Sequence, residues 1–401
     1  MRYNTAKIED LCTLVTSGGT PLTSISSYYN PKEVPWLKTG EVNYCPIYDT
    51  ENYISKEGLA HSSAKMIPAN SIIIAMYGQG DTAGRVAINK IPLCTNQACC
   101  NLIINHNIAD YEFVYYSLCT LYDHLVALKN GGAQPNLNAK KIKAINIPFP
   151  DIEVQHKIAS ILSTYDSLIE NNRKQIKLLE EAAQRLYKEW FVDLRFPGYE
   201  TTSIVDGVPE GWKKVSVADV SCVLRRGISP KYNENAKYTV INQKCIRQTV
   251  VDFSESRKQE KPYPDELQLM DSDTVICSTG AGTLGRVGQI FGEHPSSTLD
   301  SHVTLVRSND KIGKQYLFLS IKEQQDYLQS MGKGSTNQLE LSRTTIQELP
   351  ILIPDAGIIE KFENTAEPIH KKIENLNSIV AVAMQTRDRL LPKLMSGKLE
   401  V

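Results

Sequence analysis

Residues 151–194 read DIEVQHKIASILSTYDSLIENNRKQIKLLEEAAQRLYKEWFVDL and contain neither proline nor glycine, the residues that most often interrupt helices. Apolar side chains recur here every three and four residues, which is typical of a coiled-coil seam rather than of the broader stripe on a core helix. A continuous helix of about forty residues would extend roughly 60 Å. The predicted seam positions are Ile158, Leu162, Tyr165, Ile169, Asn172, Ile176, Leu179, Ala183, Leu186 and Trp190.

A second heptad pattern occurs 204 residues further along the chain. Its positions are Phe362, Ala366, Ile369, Ile373, Leu376, Val380, Ala383, Arg387, Leu390 and Leu394. Asn172 is the polar member of the first seam, and such a residue can determine the register at some cost in stability. Arg387 interrupts the second seam, so we expect looser pairing there or pairing with a partner protein. The alternative is that each helix packs on the surface of its own domain.

The segments that precede the two helices also form a repeat. The matched segments are 7–21 with 216–230, 35–42 with 239–246, 70–88 with 273–290, and 134–150 with 338–354. Gly18 is thereby matched with Gly227, Trp36 with Val240, and Arg85 with Arg286, at slightly different offsets. The chain therefore contains two copies of one repeat, each a globular domain followed by a long helix.

Within each copy, short alternating patterns predict strands, while residues 110–128 and 312–331 predict a pair of matched helices. We therefore predict an α+β fold with two similar globular domains joined by two long antiparallel coiled-coil helices, in pseudo-twofold symmetry. The predicted boundaries are 1–150 for the first domain, 151–196 for the first helix, 197–354 for the second domain and 355–401 for the second helix.

A glycine motif in the second copy resembles a dinucleotide-binding turn. Gly280, Gly282 and Gly285 have the spacing G-x-G-x-x-G, but RVGQIFG after them alternates like a strand, whereas phosphate binding requires a helix at that point. The first copy reads GQGDTAG, which is one residue longer. A connection between two strands tolerates such a change in length, and a cofactor motif does not. We therefore expect these glycines to be structural.

Composition and motifs point away from catalysis by this chain. Its 401 residues carry a net charge of −1, which disfavours a surface that binds nucleic acid everywhere. An adenine methyltransferase needs an Asn/Asp-Pro-Pro-aromatic loop and an ATPase a phosphate-binding loop, and neither occurs. The N-terminus lacks an apolar signal segment and the nine cysteines are scattered. These features predict a cytoplasmic location with reduced thiols, no metal site and no membrane contact.

Three segments complete this picture: IPFPDIEVQHKIASIL after the first domain, VPEGWKKVSVADV before the second, and LLPKLMSGKLEV at the C-terminus. With the duplication, they make the chain resemble the specificity subunit of type I restriction–modification systems over nearly its whole length. The resemblance implies two target recognition domains that each read half of a split DNA sequence. It also implies that the helices set the spacing and dock two methyltransferase subunits, with restriction (motor and nuclease) subunits as further partners. S-adenosylmethionine, ATP and Mg²⁺ would belong to those partners.

The residues expected to contact DNA lie in the repeated loops and are those that can bind base edges or phosphates. They are Lys38, Thr39, Gln79, Arg85, Gln134, Asn242, Gln243, Thr279, Arg286 and Asn337. Arg85 and Arg286 occur in both copies, although two half-sites should differ, so we expect them to contact phosphate or brace their turn. Lys38 and Asn242 differ between the copies, as specificity positions should.

Two other functional classes are compatible with parts of the sequence. A duplicated coiled-coil scaffold could hold protein partners without reading DNA. A nucleotide-dependent dehydrogenase would use the glycine motif, and it predicts that the isolated chain binds NAD. A bipartite methylation pattern distinguishes DNA recognition from both of these alternatives.

Overall fold

The structure, a computed structural model, describes residues 3–78, 80–129, 136–309, 311–332 and 339–401. The chain forms two compact units. The first unit comprises Met1–Glu170 and Ala381–Val401, and the second comprises Asn171–Val380. Each unit thus combines one globular domain with segments of both long helices. The finer domain boundaries given above stay a prediction.

The globular domain of the first unit is built on two sheets and one strand pair. The strand pair is Asn4–Lys7 with Asn146–Phe149. The strands of the five-stranded sheet are, in spatial order, Cys12–Ser17, Cys99–Ile104, Ile72–Ala75, Val86–Asn89 and Pro46–Ile47. Those of the four-stranded sheet are, in the same sense, Tyr53–Ile54, Val34–Leu37, Leu93–Thr95 and Met66–Ile67. Its shorter helices are Lys56–Ala60, Tyr111–Cys119, Tyr122–Ala127 and Ala139–Lys143.

The run IIIA at 72–75 is apolar throughout because both faces of its strand are covered. Ile72 and Ile74 pack into a core that includes Phe113, whereas Ile73 and Ala75 point the other way into a second core with Leu37. Successive side chains of a strand point to opposite faces, so a strand between two layers needs apolar residues at every position.

The second unit repeats this architecture. The strands of its four-stranded sheet are, in spatial order, Ser221–Arg226, Val303–Ser308, Thr274–Cys277 and Val287–Gln289. Those of its three-stranded sheet are Arg257–Gln259, Tyr238–Ile241 and Ser297–Leu299. Its two strand pairs are Lys213–Ser216 with Pro350–Ile353 and Ile204–Val205 with Val208–Pro209. Its shorter helices are Lys314–Glu323, Gln325–Ser330 and Arg343–Gln347. The prediction of an α+β fold in two copies is confirmed, and each predicted helix at 110–128 and 312–331 consists of two consecutive helices.

The repeat also extends to single contacts. A Cβ atom on Gly18 would lie 2.0 Å from the carbonyl oxygen of Thr95, and a Cβ atom on Gly227 would lie 2.0 Å from that of Leu299. Both glycines are therefore required by the close approach of two backbones, at the same place in each domain.

The two long helices span Ile152–Tyr187 and Ala356–Met395, and the first continues as a π-helical turn at Lys188–Val192. In the first unit, Ile158 and Leu162 near the start of one helix share a core with Leu390 and Leu394 near the end of the other. In the second unit, Leu186 near the end of the first helix shares a core with Phe362, Ile358 and Ala366 near the start of the second. The helices are therefore antiparallel within each unit, as predicted.

The predicted seam is buried or half-buried at every position. Its buried members include Ile158, Leu162, Ile169, Asn172, Ile176, Phe362, Ile373, Leu376 and Val380. Its half-buried members include Tyr165, Leu179, Leu186, Ile369 and Leu390. The ends of the helices also pack into the cores of the globular domains. Each long helix therefore contacts both the other long helix and a globular domain.

Arg387 differs from what the heptad pattern predicts. Its guanidinium forms an ion pair with Asp166 of the first long helix, 2.6 Å away, inside the first unit. The seam is therefore bridged at this position within the chain, and the expected looser pairing or partner protein is not what the structure shows.

Candidate nucleic-acid interface

The glycine segments connect antiparallel strands in both domains. Gly280, Gly282 and Gly285 adopt positive φ angles of 107°, 77° and 74° between strands Thr274–Cys277 and Val287–Gln289, which pair with each other. A strand follows the glycines where a phosphate-binding turn would have a helix. The prediction of a strand connection is confirmed.

The two arginines that recur in both copies bind their own turns. Arg85 donates from Nη2 to Asp81 Oδ1 at 2.6 Å and from Nη1 to Asn43 Oδ1 at 3.0 Å. Arg286 donates from Nη2 to the carbonyl oxygen of Gly282 at 2.6 Å. Each guanidinium thus braces the connection that carries it, and any DNA contact by either arginine stays a prediction.

A polar groove of about 440 Å³ opens on the second domain beside its glycine connection. Its lining residues are Tyr232, Asn242, Gln243, Lys244, Ser254, Glu255, Ser256, Arg257, Asp300 and His302. Two predicted contact residues, Asn242 and Gln243, lie in this wall. A third, Thr279, binds the Nδ1 atom of His302 through its hydroxyl at 2.6 Å. Residues distant in sequence therefore meet at one concave, hydrogen-bonding surface.

Asn242 is held in place by the turn that follows it. Its Oδ1 accepts the backbone N–H of Lys244 at 2.8 Å and so caps the short 3-10 helix Gln243–Cys245. Only 7% of Asn242 is exposed. The cap uses the Oδ1 atom of Asn242. Gln243 lies beside Gly280, and its Cγ atom is about 4.0 Å from the place that a Cβ atom of residue 280 would take.

Asp300 and His302 lie close together in the lining of the groove. The carboxylate Oδ1 of Asp300 accepts the backbone N–H of His302 at 2.9 Å, which sets the turn that presents the imidazole. Burial raises the pKa of Asp300 to about 6, although the hydrogen bond from His302 lowers it. This carboxyl group therefore keeps its proton to a higher pH than an exposed aspartate does.

Arg257 covers one side of the groove. Its Cζ atom lies 3.6 Å from the centroid of the Tyr232 ring, a close cation–π contact. Tyr232, Arg257 and His302 did not emerge from the sequence comparison. No sequence pattern marks Arg257, because its pairing with Val240, the counterpart of Trp36, is known only from the folded strands.

The matching surface of the first domain has different side chains. Lys38 Nζ donates to Asn52 Oδ1 at 3.0 Å and lies 5.1 Å from the centroid of the Trp36 ring. Thr39 begins the short 3-10 helix Thr39–Glu41 and is half-buried. The first domain therefore also presents a cation held above an aromatic ring, but with other residues.

Three predicted contact residues, Gln79, Gln134 and Asn337, lie outside the described residues. Among the residues that are described, no group of three or more His, Cys, Asp or Glu side chains could hold a metal ion. None of the nine cysteines forms a disulfide bond, and burial raises the pKa of the Cys94 and Cys100 thiols to about 12. Within the described parts of the chain, no helix combines the length and apolar composition needed to cross a bilayer.

Comparison with known proteins agrees with this geometry. The family model of the type I restriction modification DNA specificity domain matches residues 2–181 and again residues 209–378. The chain belongs to this family. It is a type I specificity subunit with two recognition domains, one in each matched segment.

Relatives and solved structures support this assignment. The MjaIX type I specificity subunit of Methanocaldococcus jannaschii is 29% identical over 417 aligned positions, which cover 100% of this chain and 94% of the relative. The HindI specificity subunit of Haemophilus influenzae is 24% identical, covering 74% of this chain and 79% of the relative. The crystal structure of a type I S subunit from M. genitalium has a TM-score of 0.64 at 16% identity, covering 98% of this chain and 96% of that one. The likeness of structure shows a shared fold.

Proposed function

We propose that this specificity subunit reads a bipartite DNA target, with one half-site bound by each recognition domain. The observation that carries the proposal is that the two domains share one fold but differ at equivalent groove positions. Lys38 in the first corresponds to Asn242 in the second, and Trp36 corresponds to Val240. Two domains that bind different half-sites need the same fold but different hydrogen-bonding side chains at the positions that face the bases.

The charge of the chain suits a subunit that shares its DNA contacts with other proteins. Its net charge is −1, whereas strong binding by one protein alone requires many clustered cations. The cations Lys38, Lys244 and Arg257 are instead gathered at the two candidate reading surfaces. This arrangement supports local recognition combined with phosphate contacts made by partner subunits.

The proposal includes docking of two methyltransferase subunits on the long helices. Leu178 and Val382 occupy equivalent positions of the two helices, and each has 64% of its surface exposed. An apolar side chain at the same outward-facing place in both copies supports a pair of equivalent docking contacts. Restriction subunits, where present, would also dock on these helices.

Catalysis and its cofactors are assigned to the partners. S-adenosylmethionine would be bound by the methyltransferase subunits, and ATP and Mg²⁺ by the restriction subunits. The sequence contains neither the motif with which adenine methyltransferases bind their target base nor the motif with which ATPases bind ATP. Both observations support a non-catalytic role for this chain. Since its target is genomic DNA, we also place the complex in the cytoplasm.

The experiment is to map methylated adenines by long-read sequencing in the source genome, with the gene intact and deleted. We expect a split motif with a constant spacer to be methylated only when the gene is present. A co-expressed complex of this chain and its methyltransferase subunit should methylate the same motif in vitro. If the complex assembles but methylates no split motif, the chain is a protein scaffold and the proposal is wrong.

A further inference from the structure

Two interactions fix the position of Arg257 in the groove of the second recognition domain: a strand pairing and a contact with an aromatic ring. It is the first residue of strand Arg257–Gln259, where it pairs with Val240 of the neighbouring strand. Its guanidinium carbon lies 3.6 Å from the centroid of the Tyr232 ring. A guanidinium stacked on a ring donates hydrogen bonds in its own plane, so stacking both limits the rotamers and leaves the N–H fork available.

Arg257 lines the groove and forms no ion pair with any of the described residues. Of the two acidic residues in the lining, Glu255 pairs with Arg247 at 3.8 Å, and Asp300 accepts the backbone N–H of His302 at 2.9 Å. The lining also contains Asn242, Gln243 and His302, all with hydrogen-bonding edges. Such a set of donors is suited to base edges, whereas phosphate contacts require only a cation on an open surface.

The corresponding position of the first domain argues against a shared phosphate contact. The backbone N–H of Trp36 donates to the carbonyl oxygen of Asn52 at 2.9 Å, so Asn52 occupies the place next to Trp36 that Arg257 occupies next to Val240. The Asn52 side chain accepts from Lys38. An arginine in one domain and an asparagine in the other is the difference expected where two half-sites have different bases.

We propose that Arg257, oriented by Tyr232, is a specificity-determining residue that reads a guanine in the half-site of the second recognition domain. The inference rests on the proposed function, in which this domain reads one half of a bipartite target. Guanine offers O6 and N7 as two adjacent acceptors in the major groove, and the arginine fork matches them with two hydrogen bonds. In this arrangement Tyr232 is a positioning residue.

The test uses the complex of this chain with its methyltransferase subunits and a DNA library in which both half-sites are randomised. Arg257→Ala should lower the preference for one G·C pair of one half-site by about tenfold or more and leave the other half-site unchanged. Arg257→Lys should do the same, because a lysine keeps the charge but lacks the fork. Tyr232→Ala should weaken the same preference, and Tyr232→Phe, which keeps the ring, should restore it.

Lys258→Ala is the matched control. Lys258 is the next residue of the same strand, is exposed, and donates from Nζ to Thr239 Oγ1 at 3.0 Å. Because adjacent strand residues point to opposite faces, this variant removes a cation of the same strand without altering the groove. Its base preference should equal that of the unmodified complex.

Three results would overturn the inference. Arg257→Lys could retain full selectivity, Arg257→Ala could weaken all sequences equally and reduce the salt dependence, or the affected pair could be A·T. The first two indicate a phosphate contact, and the third a different base. Failure of the proposed function is recognised separately, because then the unmodified complex itself would show no split motif.

Discussion

Arg387 Nη1 donates to Asp166 Oδ1 at 2.6 Å and so joins two residues that are 221 positions apart in the chain. The second oxygen of Asp166 accepts from the hydroxyl of Tyr116 at 2.5 Å, in a helix of the first recognition domain. About a quarter of each charged side chain is exposed, at 23% for Arg387 and 25% for Asp166. One carboxylate therefore connects both long helices and the recognition domain within the first unit.

Arg387→Ala should destabilise the first unit by about 1–3 kcal/mol, because it leaves a half-buried carboxylate with one partner fewer. The double variant Asp166→Ala with Arg387→Ala should cost less than the sum of the single variants, since either single change already removes the Asp166–Arg387 ion pair. Urea unfolding measures all three. Arg389→Ala, an exposed arginine on the same helix, should change stability little. Strictly additive losses would show that the pair is not coupled.

Glu180→Gln should stabilise the second unit at alkaline pH. Burial raises the pKa of Glu180 to about 7, although nearby Lys322 lowers it. The folded state then binds a proton more tightly than the unfolded state, whose pKa is about 4.3. Stability is therefore lost as pH rises from about 4.3 through 7, because the carboxylate must ionise while partly buried. The gain from Glu180→Gln should be about 1–3 kcal/mol at pH 8 and should shrink toward pH 5.

Thermal unfolding between pH 5 and pH 8.5 tests this. Glu360→Gln is the control, because Glu360 is an exposed glutamate on the second long helix of the same unit. A pH-independent gain from Glu180→Gln would contradict the predicted ionisation.

Gly18→Ala should destabilise the first recognition domain by more than about 2 kcal/mol, because a new Cβ would meet the backbone carbonyl of Thr95. Gly40→Ala is the matched control in the same domain, since its Cβ would have no heavy atom within 4 Å. That variant should stay within about 0.5 kcal/mol of the unmodified protein. Equal effects of the two substitutions in denaturant unfolding would disprove the steric explanation.

Leu178→Asp and Val382→Asp should each remove one methyltransferase subunit from the complex, because a carboxylate would enter an apolar contact on one long helix. Native mass measurement should show the number of bound subunits falling from two to one in each single variant and to none in the double variant. Asn364→Asp, at an exposed polar position of the second helix 18 residues before Val382, should leave assembly intact. If both the leucine and the valine variants retain two subunits, docking occurs elsewhere.

Glu170 and Glu374 are equivalent positions of the two long helices. We expect that seven residues inserted after each of them will lengthen the tolerated spacer between the half-sites. Seven helical residues add roughly 10 Å, or about three base pairs of DNA. Paired insertions preserve the heptad register in both helices. Methylation mapping would show the change, and an unaltered spacer would mean that the helices do not set the distance.

Local sequence patterns predicted much of the architecture. The glycine connections could be predicted because the alternation in RVGQIFG after Gly285 requires a strand, and the structure places the strand Val287–Gln289 there. The long helices could be predicted from the heptad pattern and the absence of helix-breaking residues in 151–194. Asn242 and Gln243 could be selected from the repeat alone, since the two copies differ at that position.

Other features needed the folded chain. Tyr232, Arg257 and His302 meet at one groove although no motif links them, because their proximity depends on how three separate strands and turns pack together. Charge and heptad position are also insufficient to predict the environment of Arg387, because its partner lies on the other long helix.

The sequence by itself determined the duplication, the strand connections and the two long helices, because each of these follows from periodicity and from residues that are close in the chain. Only the tertiary structure decided which side chains form the groove and that Asp166 is the partner of Arg387. Those contacts join segments far apart in sequence, and their geometry is set by the packing of whole elements rather than by any local preference.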